Sequence, residues 1–405
     1  MPELDSQLSV FLCSTYIECT RNLHETTRLS RYFKENDIPV VRSIDDANTV
    51  VITTCGFDQI KENHALQTIK KYVDGYADKT VVVCGCLPAI HGSVQKEFPR
   101  AIVLNSITDE TIDQLIRARV PMKDVMANYL DHEASGEALI EKPAKPHANY
   151  HIQIGEGCLS HCTYCVYKNL RQGIWSKPLE KIVEEFKKGV EQGTQQVIFI
   201  AEDCASWGRD INSSLPELLR ACYPHRKGHV KVSLTFMEPA QMLKIYQDLD
   251  REILENFISD ICAPIQSCSQ ATLKAMNRRY DVKEVLKAVA SIRKINPRIK
   301  LSTHIIYGFP GETREEFTRS FDLIPYFDQI IYFCYMDRPG TSSSRMKDKT
   351  STKEMLWRTN AVQKKQNELI RLGRRCPLVL AYTNNELCQI LDIGLDPIST
   401  HPHEL

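Results

Sequence analysis

Between residues 150 and 335 the chain repeats one pattern, a short apolar run of strand length followed by a stretch of helix length. Strands are expected at 151–154, 196–201, 231–236, 260–265, 300–306 and 329–335, with helices at 178–192, 282–295 and 314–324 among them. Such alternation leaves little choice of fold. Parallel strands need a crossover, the crossover is usually a helix, and the helices then cover the sheet. The expected class is α/β. Six β/α units fit an open (β/α)6 barrel, a shortened relative of the TIM barrel. Barrels of this kind carry their chemistry on the loops at the carboxyl ends of the strands. The unusual clusters of this chain fall there. A cysteine-rich loop follows the first strand, Glu202-Asp203 the second, Glu238 the third and Gln266-Ser267 the fourth. Gly308-Phe-Pro-Gly311-Glu312 follows the fifth, and Asp337-Arg-Pro339 the sixth.

Residues 1–130 alternate in the same way, with apolar runs at 8–12, 49–53 and 81–83 and helical stretches at 24–36 and 63–76. An N-terminal parallel α/β domain is expected there. Charge, alanine and two Lys-Pro pairs mark 131–149 as a linker, so the barrel should occupy 150–347. In the remaining 348–405, residues 352–374 read as a charged helix and 376–393 as a short hairpin.

Composition narrows the function. Lysine plus arginine equals aspartate plus glutamate at 51 each, so no bulk positive charge is present to grip nucleic acid. No apolar run reaches the length of a membrane span, and the first residues lack the basic start and apolar core of a signal peptide. A cytoplasmic protein with no membrane partner is expected. Its 15 cysteines stand in clustered spacings that suit metal or redox chemistry better than a disulfide framework.

Cys158, Cys162 and Cys165 form a C-x3-C-x2-C run. Three thiolates so close together can hold three irons of a [4Fe–4S] cube and leave the fourth open to a ligand. Zinc is the alternative, but a structural zinc usually asks for four ligands and only three are local. The run resembles the signature of the radical S-adenosylmethionine (SAM) enzymes. That resemblance implies that the open iron chelates SAM and that one electron from the cluster cleaves it to a 5′-deoxyadenosyl radical.

The N-terminal domain repeats the placement. Cys19 follows its first strand, Cys55 its second and Cys86 its third, and loops at one edge of a parallel sheet converge. Buried structural thiols are the plain alternative. Together the motifs resemble those of the radical-SAM methylthiotransferases: Cys19-Thr-Arg-Asn22, Thr53-Thr-Cys55, Gly85-Cys86-Leu87, Glu156-Gly-Cys158, Ile265-Gln-Ser-Cys268, Met276-Asn-Arg-Arg-Tyr280, Ile306-Tyr-Gly-Phe-Pro-Gly-Glu-Thr313 and Asp337-Arg-Pro-Gly-Thr341. They run in family order from about residue 8 to about residue 347. The resemblance implies two [4Fe–4S] clusters, one on Cys158, Cys162 and Cys165 and an auxiliary one on Cys19, Cys55 and Cys86. It implies that SAM first methylates a cluster-bound sulfur and then supplies the radical that activates an unactivated C–H carbon, to which the methylthio group is joined.

Other expected contacts with SAM are the backbone at Tyr164, which resembles the residue facing the adenine, and the rim residues Glu202, Glu238 and Gln266. Gly308 and Gly311 would let the backbone approach the nucleoside, or simply turn before the next helix. Cys13 and Cys84 read as spare thiols. Cys204, Cys222, Cys262, Cys334, Cys376 and Cys388 read as core or surface thiols, and Cys268 stands close to the rim where the family often has glycine, with no role assigned to it. His304 stands where the family commonly has aspartate. The arginines at 278–279 and 371–375 read as solvated faces. Only some sixty residues follow the last motif, which leaves no comfortable room for the family's RNA-binding TRAM barrel. The expected substrate is therefore a peptide or protein residue, with a reducing donor such as flavodoxin or ferredoxin. Methylthiolation of tRNA, other two-cluster chemistry on a peptide, and a non-catalytic iron–sulfur or zinc protein are the alternatives.

Overall fold

A computed structural model describes residues 8–16, 19–104, 110–128, 132–135, 138–141, 149–169, 173–375, 377–382, 386–387 and 390. The chain forms two units. One comprises Met1–Ile152 with Asn169–Gln172 and Glu191–Gln196, and the other Gln153–Lys168, Gly173–Val190 and Val197–Leu405.

In the first unit the strands Val10–Ser14, Thr49–Thr54 and Thr80–Gly85 lie side by side in parallel, in register from Val10↔Thr49 and Thr49↔Thr80. All six residues of Thr49–Thr54 are buried, as a strand covered on both faces requires. One face packs Phe11, Ile52 and Val83 against Ala65, Ile69 and Tyr72 of the helix Gln59–Gly75. The other packs Val10, Leu12, Val51 and Val82 against Leu29, Tyr32 and Phe33 of the helix Thr20–Glu35. Residues 131–149 depart from the linker expected of them. His132–Ser135 and Ala138–Glu141 are antiparallel strands, and the second pairs with the first strand of the sheet at Cys13↔Ala138. Backbone pairing at a sheet edge needs no apolar alternation, so the charged and alanine-rich sequence hid it.

The second unit is built on a sheet ordered Leu378–Leu380, Gln329–Cys334, Lys300–Tyr307, Ile258–Cys262, Lys231–Leu234, Gln196–Ile200. The first five of these strands are parallel to their neighbours. All six expected barrel strands are present, each within a few residues of its expected bounds. Leu378–Leu380 adds a seventh, in register at Ile330↔Leu378, where the sequence pointed to a hairpin over 376–393; much of that stretch, with Cys376 and Cys388, lies outside the described residues. The expected helix at 314–324 is α-helical over Arg314–Thr318 and tightens to a 3-10 turn over Arg319–Leu323. The sheet has two distinct faces. Tyr307 and Tyr332 point to the helices, where they meet Phe317 and the Thr359 hydroxyl. His304 and Ile306, of opposite parity, are half-buried on the inner face.

Candidate functional site

The cysteine loop of the second unit leaves a two-stranded antiparallel ribbon, Gly155–Gly157 with Ile174–Ser176. Glu202, at the end of the next barrel strand, accepts the Gly157 N–H at 2.8 Å and so fixes the entry to Cys158. The far side of the loop is tied to residues 275–277. Thr163 N–H donates to Met276 O at 3.0 Å, its hydroxyl donates to Ala275 O at 3.0 Å, and Asn277 Nδ2 donates to His161 O at 2.8 Å. These bonds bring the three thiols together. Burial pushes Cys158 up to about 12, with the charges of Asp203 and Cys162 adding to it, and burial followed by the Cys162 charge pushes Cys165 up. Burial raises core thiols such as Cys222 alike, so the shift marks burial, and a cation would be needed to hold Cys158 and Cys165 as thiolates. Among the described residues no three His, Cys, Asp or Glu side chains converge on a single metal ion. A cube does not ask for that, since each thiolate takes a different iron.

The most connected side chain here is Arg278, which is buried. Its guanidinium donates to Cys162 Sγ at 3.3 Å, Tyr164 Oη at 3.4 Å, Tyr280 Oη at 2.8 Å and Pro264 O at 2.8 Å, and lies 3.1 Å from Glu238 Oε1. Tyr280 in turn donates to Ile265 O. The expectation of a solvated face therefore fails for Arg278, whereas Arg279 is exposed. The signal available in the sequence was the motif Met276-Asn-Arg-Arg-Tyr280, in which the two arginines look alike.

The remaining rim residues divide. Glu238 is taken up by Arg278 and by the N–H of Gln241, whose helix it caps at 3.1 Å. Tyr164 sits edge-on to Phe309 with ring centroids 6.4 Å apart. Gln266 has φ 70°, and its buried Oε1 has no hydrogen-bond donor among the described residues. Gly308, at φ 75°, lies where an added Cβ would fall 2.0 Å from Met355 Sδ, so a protein side chain makes the close approach there. An added Cβ at Gly311, φ 82°, would meet nothing within 4 Å. Cys204, Cys222, Cys262 and Cys334 are buried and Cys268 is half-buried.

In the first unit Asn22 organises the second set of thiols. Its Oδ1 accepts the Ser14 hydroxyl at 2.5 Å and its Nδ2 donates to Thr54 O at 3.3 Å, which joins the loop carrying Cys19 to the strand that ends before Cys55. Cys55 N–H donates to Thr15 Oγ1 at 3.1 Å. Gly85 has φ 95°, and a Cβ there would lie 2.5 Å from Thr54 O, so only glycine lets Cys86 draw beside Cys55. The three thiols feel one another. Cys55 is pushed up to about 12 by burial and, further down the scale, by Cys19. Cys86 is pushed up by burial first, then by Glu25, with smaller contributions from Cys55 and Cys19. Burial also raises Cys19. Cys13 and Cys84 instead pack into the two apolar cores.

Residues 152–324 match the Radical SAM superfamily, and residues 13–105 match the uncharacterized protein family UPF0004. The ribosomal protein uS12 methylthiotransferase RimO of Alkaliphilus oremlandii is 29% identical over 86% of this chain and 80% of its own length. A probable threonylcarbamoyladenosine tRNA methylthiotransferase of Pyrococcus abyssi is 30% identical over 82% of this chain and 79% of its own. Among solved structures, the radical S-adenosylmethionine methyltransferase TsrM of Kitasatospora setae superposes with a TM-score of 0.57 at 13% identity, over 84% of this chain and 77% of that one. The likeness to TsrM is one of fold alone. The chain belongs to the radical-SAM methylthiotransferase family and is an enzyme of that kind, with SAM and [4Fe–4S] clusters as its cofactors.

Proposed function

We propose that this enzyme places a methylthio group on an aliphatic carbon of a peptide or protein residue, with Cys158, Cys162 and Cys165 holding the cluster that binds SAM and Cys19, Cys55 and Cys86 holding the auxiliary cluster. The observation that carries the assignment is the pair of thiol trios, each at the strand ends of its own unit and each held by local bonds and a close glycine approach. Radical chemistry at a carbon without acidity is what the bound cofactors supply, because no side-chain base opens such a bond. The protein's own part is position. Glu202 and the contacts of Thr163 hold the cysteine loop, and the unsatisfied Gln266 Oε1 offers an acceptor to an N–H or O–H of SAM.

The peptide reading rests on the balanced charge and on the inner face of the barrel. His304 lies between Phe236 and Phe333, with centroids 5.7 and 5.1 Å away, and burial lowers it to about 4, so the imidazole is neutral at physiological pH. This aromatic, uncharged trio gives a phosphate nothing to pair with. The relatives named for ribosomal protein uS12 favour the same substrate class. Modification of tRNA is the second reading, favoured by the Pyrococcus relatives and by the exposed Arg371, Arg374 and Arg375. The work would proceed in the cytoplasm, where thiols stay reduced, with flavodoxin or ferredoxin as the electron source.

Iron analysis of anaerobically reconstituted variants tests the assignment. Cys162→Ala should lose the barrel cluster and all cleavage of SAM, and Cys55→Ala should lose only the auxiliary iron. Full iron content and full methylthiolation in Cys55→Ala would remove the auxiliary assignment. Mass spectrometry then decides the substrate. A methylthio-nucleoside in tRNA from expressing cells, absent with Cys162→Ala, would replace the peptide reading by the second.

A further inference from the structure

The burial of Arg278 needs a reason. An ionised guanidinium taken out of water is costly unless every donor is satisfied and its charge is balanced. Glu238 supplies one balancing charge at 3.1 Å, and Pro264 O and Tyr280 Oη accept at 2.8 Å each. Those partners would suffice for a brace between the rim loops. One arm does something more. Nη1 reaches Cys162 Sγ at 3.3 Å and Tyr164 Oη at 3.4 Å, so the buried charge is aimed at the middle cysteine of the trio. The opposing carboxylate meets the other arm: Nη2 lies 3.1 Å from Glu238 Oε1, while Nη1 lies on Cys162. The pair therefore forms a fixed dipole whose positive end touches a cluster ligand.

We propose that Arg278 sets the reduction potential of the SAM-binding cluster through its charge and its hydrogen bond to Cys162 Sγ. The inference rests on the cluster assignment proposed above. A [4Fe–4S] core becomes more negative by one charge on reduction, and hydrogen bonds to its sulfurs are among the main determinants of its potential. A positive group at a ligand sulfur stabilises the reduced form more than the oxidised one, and the low dielectric of a buried site strengthens the effect. Arg278 thus makes reduction by a cellular donor easier. It is a positioning and tuning residue, since its contact is with a cluster ligand and not with the substrate.

The test uses the full chain, reconstituted anaerobically, with Cys19, Cys55 and Cys86 replaced by alanine so that only the barrel cluster reports. Redox titration followed by electron paramagnetic resonance of the reduced cluster gives its midpoint potential. Arg278→Met should shift the reduced-to-oxidised ratio at a fixed potential at least tenfold toward the oxidised form, about 59 mV for a one-electron couple. Arg278→Lys, which keeps the charge, should move the ratio by no more than about threefold, half of that shift on the potential scale. Arg278→Met leaves Glu238 buried without its cation, so the same titration is run on Arg278→Met/Glu238→Gln, where the uncompensated charge is gone. An iron-loaded Arg278→Met or double variant whose ratio stays within twofold of the parent would overturn the proposal. So would loss of iron from both of them while Arg278→Lys loads normally, because Arg278 would then be a brace for the loop. Failure of the parent itself to take up iron would count against the cluster assignment, and that outcome is visible in the parent alone.

Discussion

Replacing Gly308 by alanine separates two reasons for a glycine at the rim. The residue has φ 75°, which costs an L-side chain ~1–2 kcal/mol. A Cβ would also stand 2.0 Å from Met355 Sδ and 2.4 Å from its Cε, an overlap that something must yield to. Overpacking of this kind typically costs ~1–3 kcal/mol, and the flexible thioether chain places it in the lower half of that range. The variant should therefore lose about 2–4 kcal/mol. Gly311→Ala provides the control, because φ there is 82° while nothing lies within 4 Å of the added Cβ. It should cost only the backbone share, ~1–2 kcal/mol. Urea unfolding followed by tryptophan fluorescence is the assay. Trp175, Trp207 and Trp357 all belong to the second unit, so the signal reports that unit alone. A double-mutant cycle of Gly308→Ala with Met355→Ala should show about 1–2 kcal/mol of coupling, since the smaller side chain removes the overlap. Equal costs for Gly308→Ala and Gly311→Ala, or a cycle without coupling, would refute the packing argument. Unchanged stability with weakened SAM binding would return Gly308 to the nucleoside.

Two further outcomes test neighbouring parts of the rim. Thr313 caps the helix Arg314–Thr318 in a reciprocal box with Glu316, which also accepts the Ser269 hydroxyl at 2.6 Å, so Thr313→Ala should lower the same urea transition by ~1 kcal/mol; no change would mean that the box contributes nothing. Glu312 is raised to about 7 by burial, against the opposing pull of the Gly308 N–H and Arg358. A carboxyl raised in the folded state stabilises fully below its unfolded value, near 4.3, and that share is lost as pH rises toward 7. Glu312→Gln should therefore flatten the fall in stability between pH 4 and 7, and an unchanged slope would assign the fall to other groups.

The barrel was legible because its signal is long-range and redundant. Strand-length apolar runs, helix-length spacers and odd polar clusters after each strand all point to one parallel architecture. The seventh strand, Leu378–Leu380, was not, because a strand of 3 residues on a sheet edge carries too few side chains to show a period. The hairpin within 131–149 escaped for a related reason. Its pairing is made by backbone groups, and those leave no trace in residue choice.

The site shows the same division at the level of single residues. The proposed ligands Cys158, Cys162 and Cys165 stand out because three thiols in one short run have few other uses, whereas Cys19, Cys55 and Cys86 are marked only by their strand-end placement and the family motifs around them. Which cysteine of a neighbouring pair belongs to a trio is a question of face: Cys84 and Cys86 differ by two positions, yet the first points into an apolar core and the second, released by Gly85 at φ 95°, turns toward Cys55. Arg278 and Arg279 differ by one position and by everything that matters physically. Charge alone places both on a surface, since arginine is almost never fully buried unless it is paired. The pairing partner, Glu238, is forty residues away in the chain, and Cys162 is 116. Only the folded barrel brings a carboxylate and a thiol to the same guanidinium. A buried cation whose one unneeded arm ends on a sulfur is thus the kind of functional residue that a sequence conceals and a structure exposes.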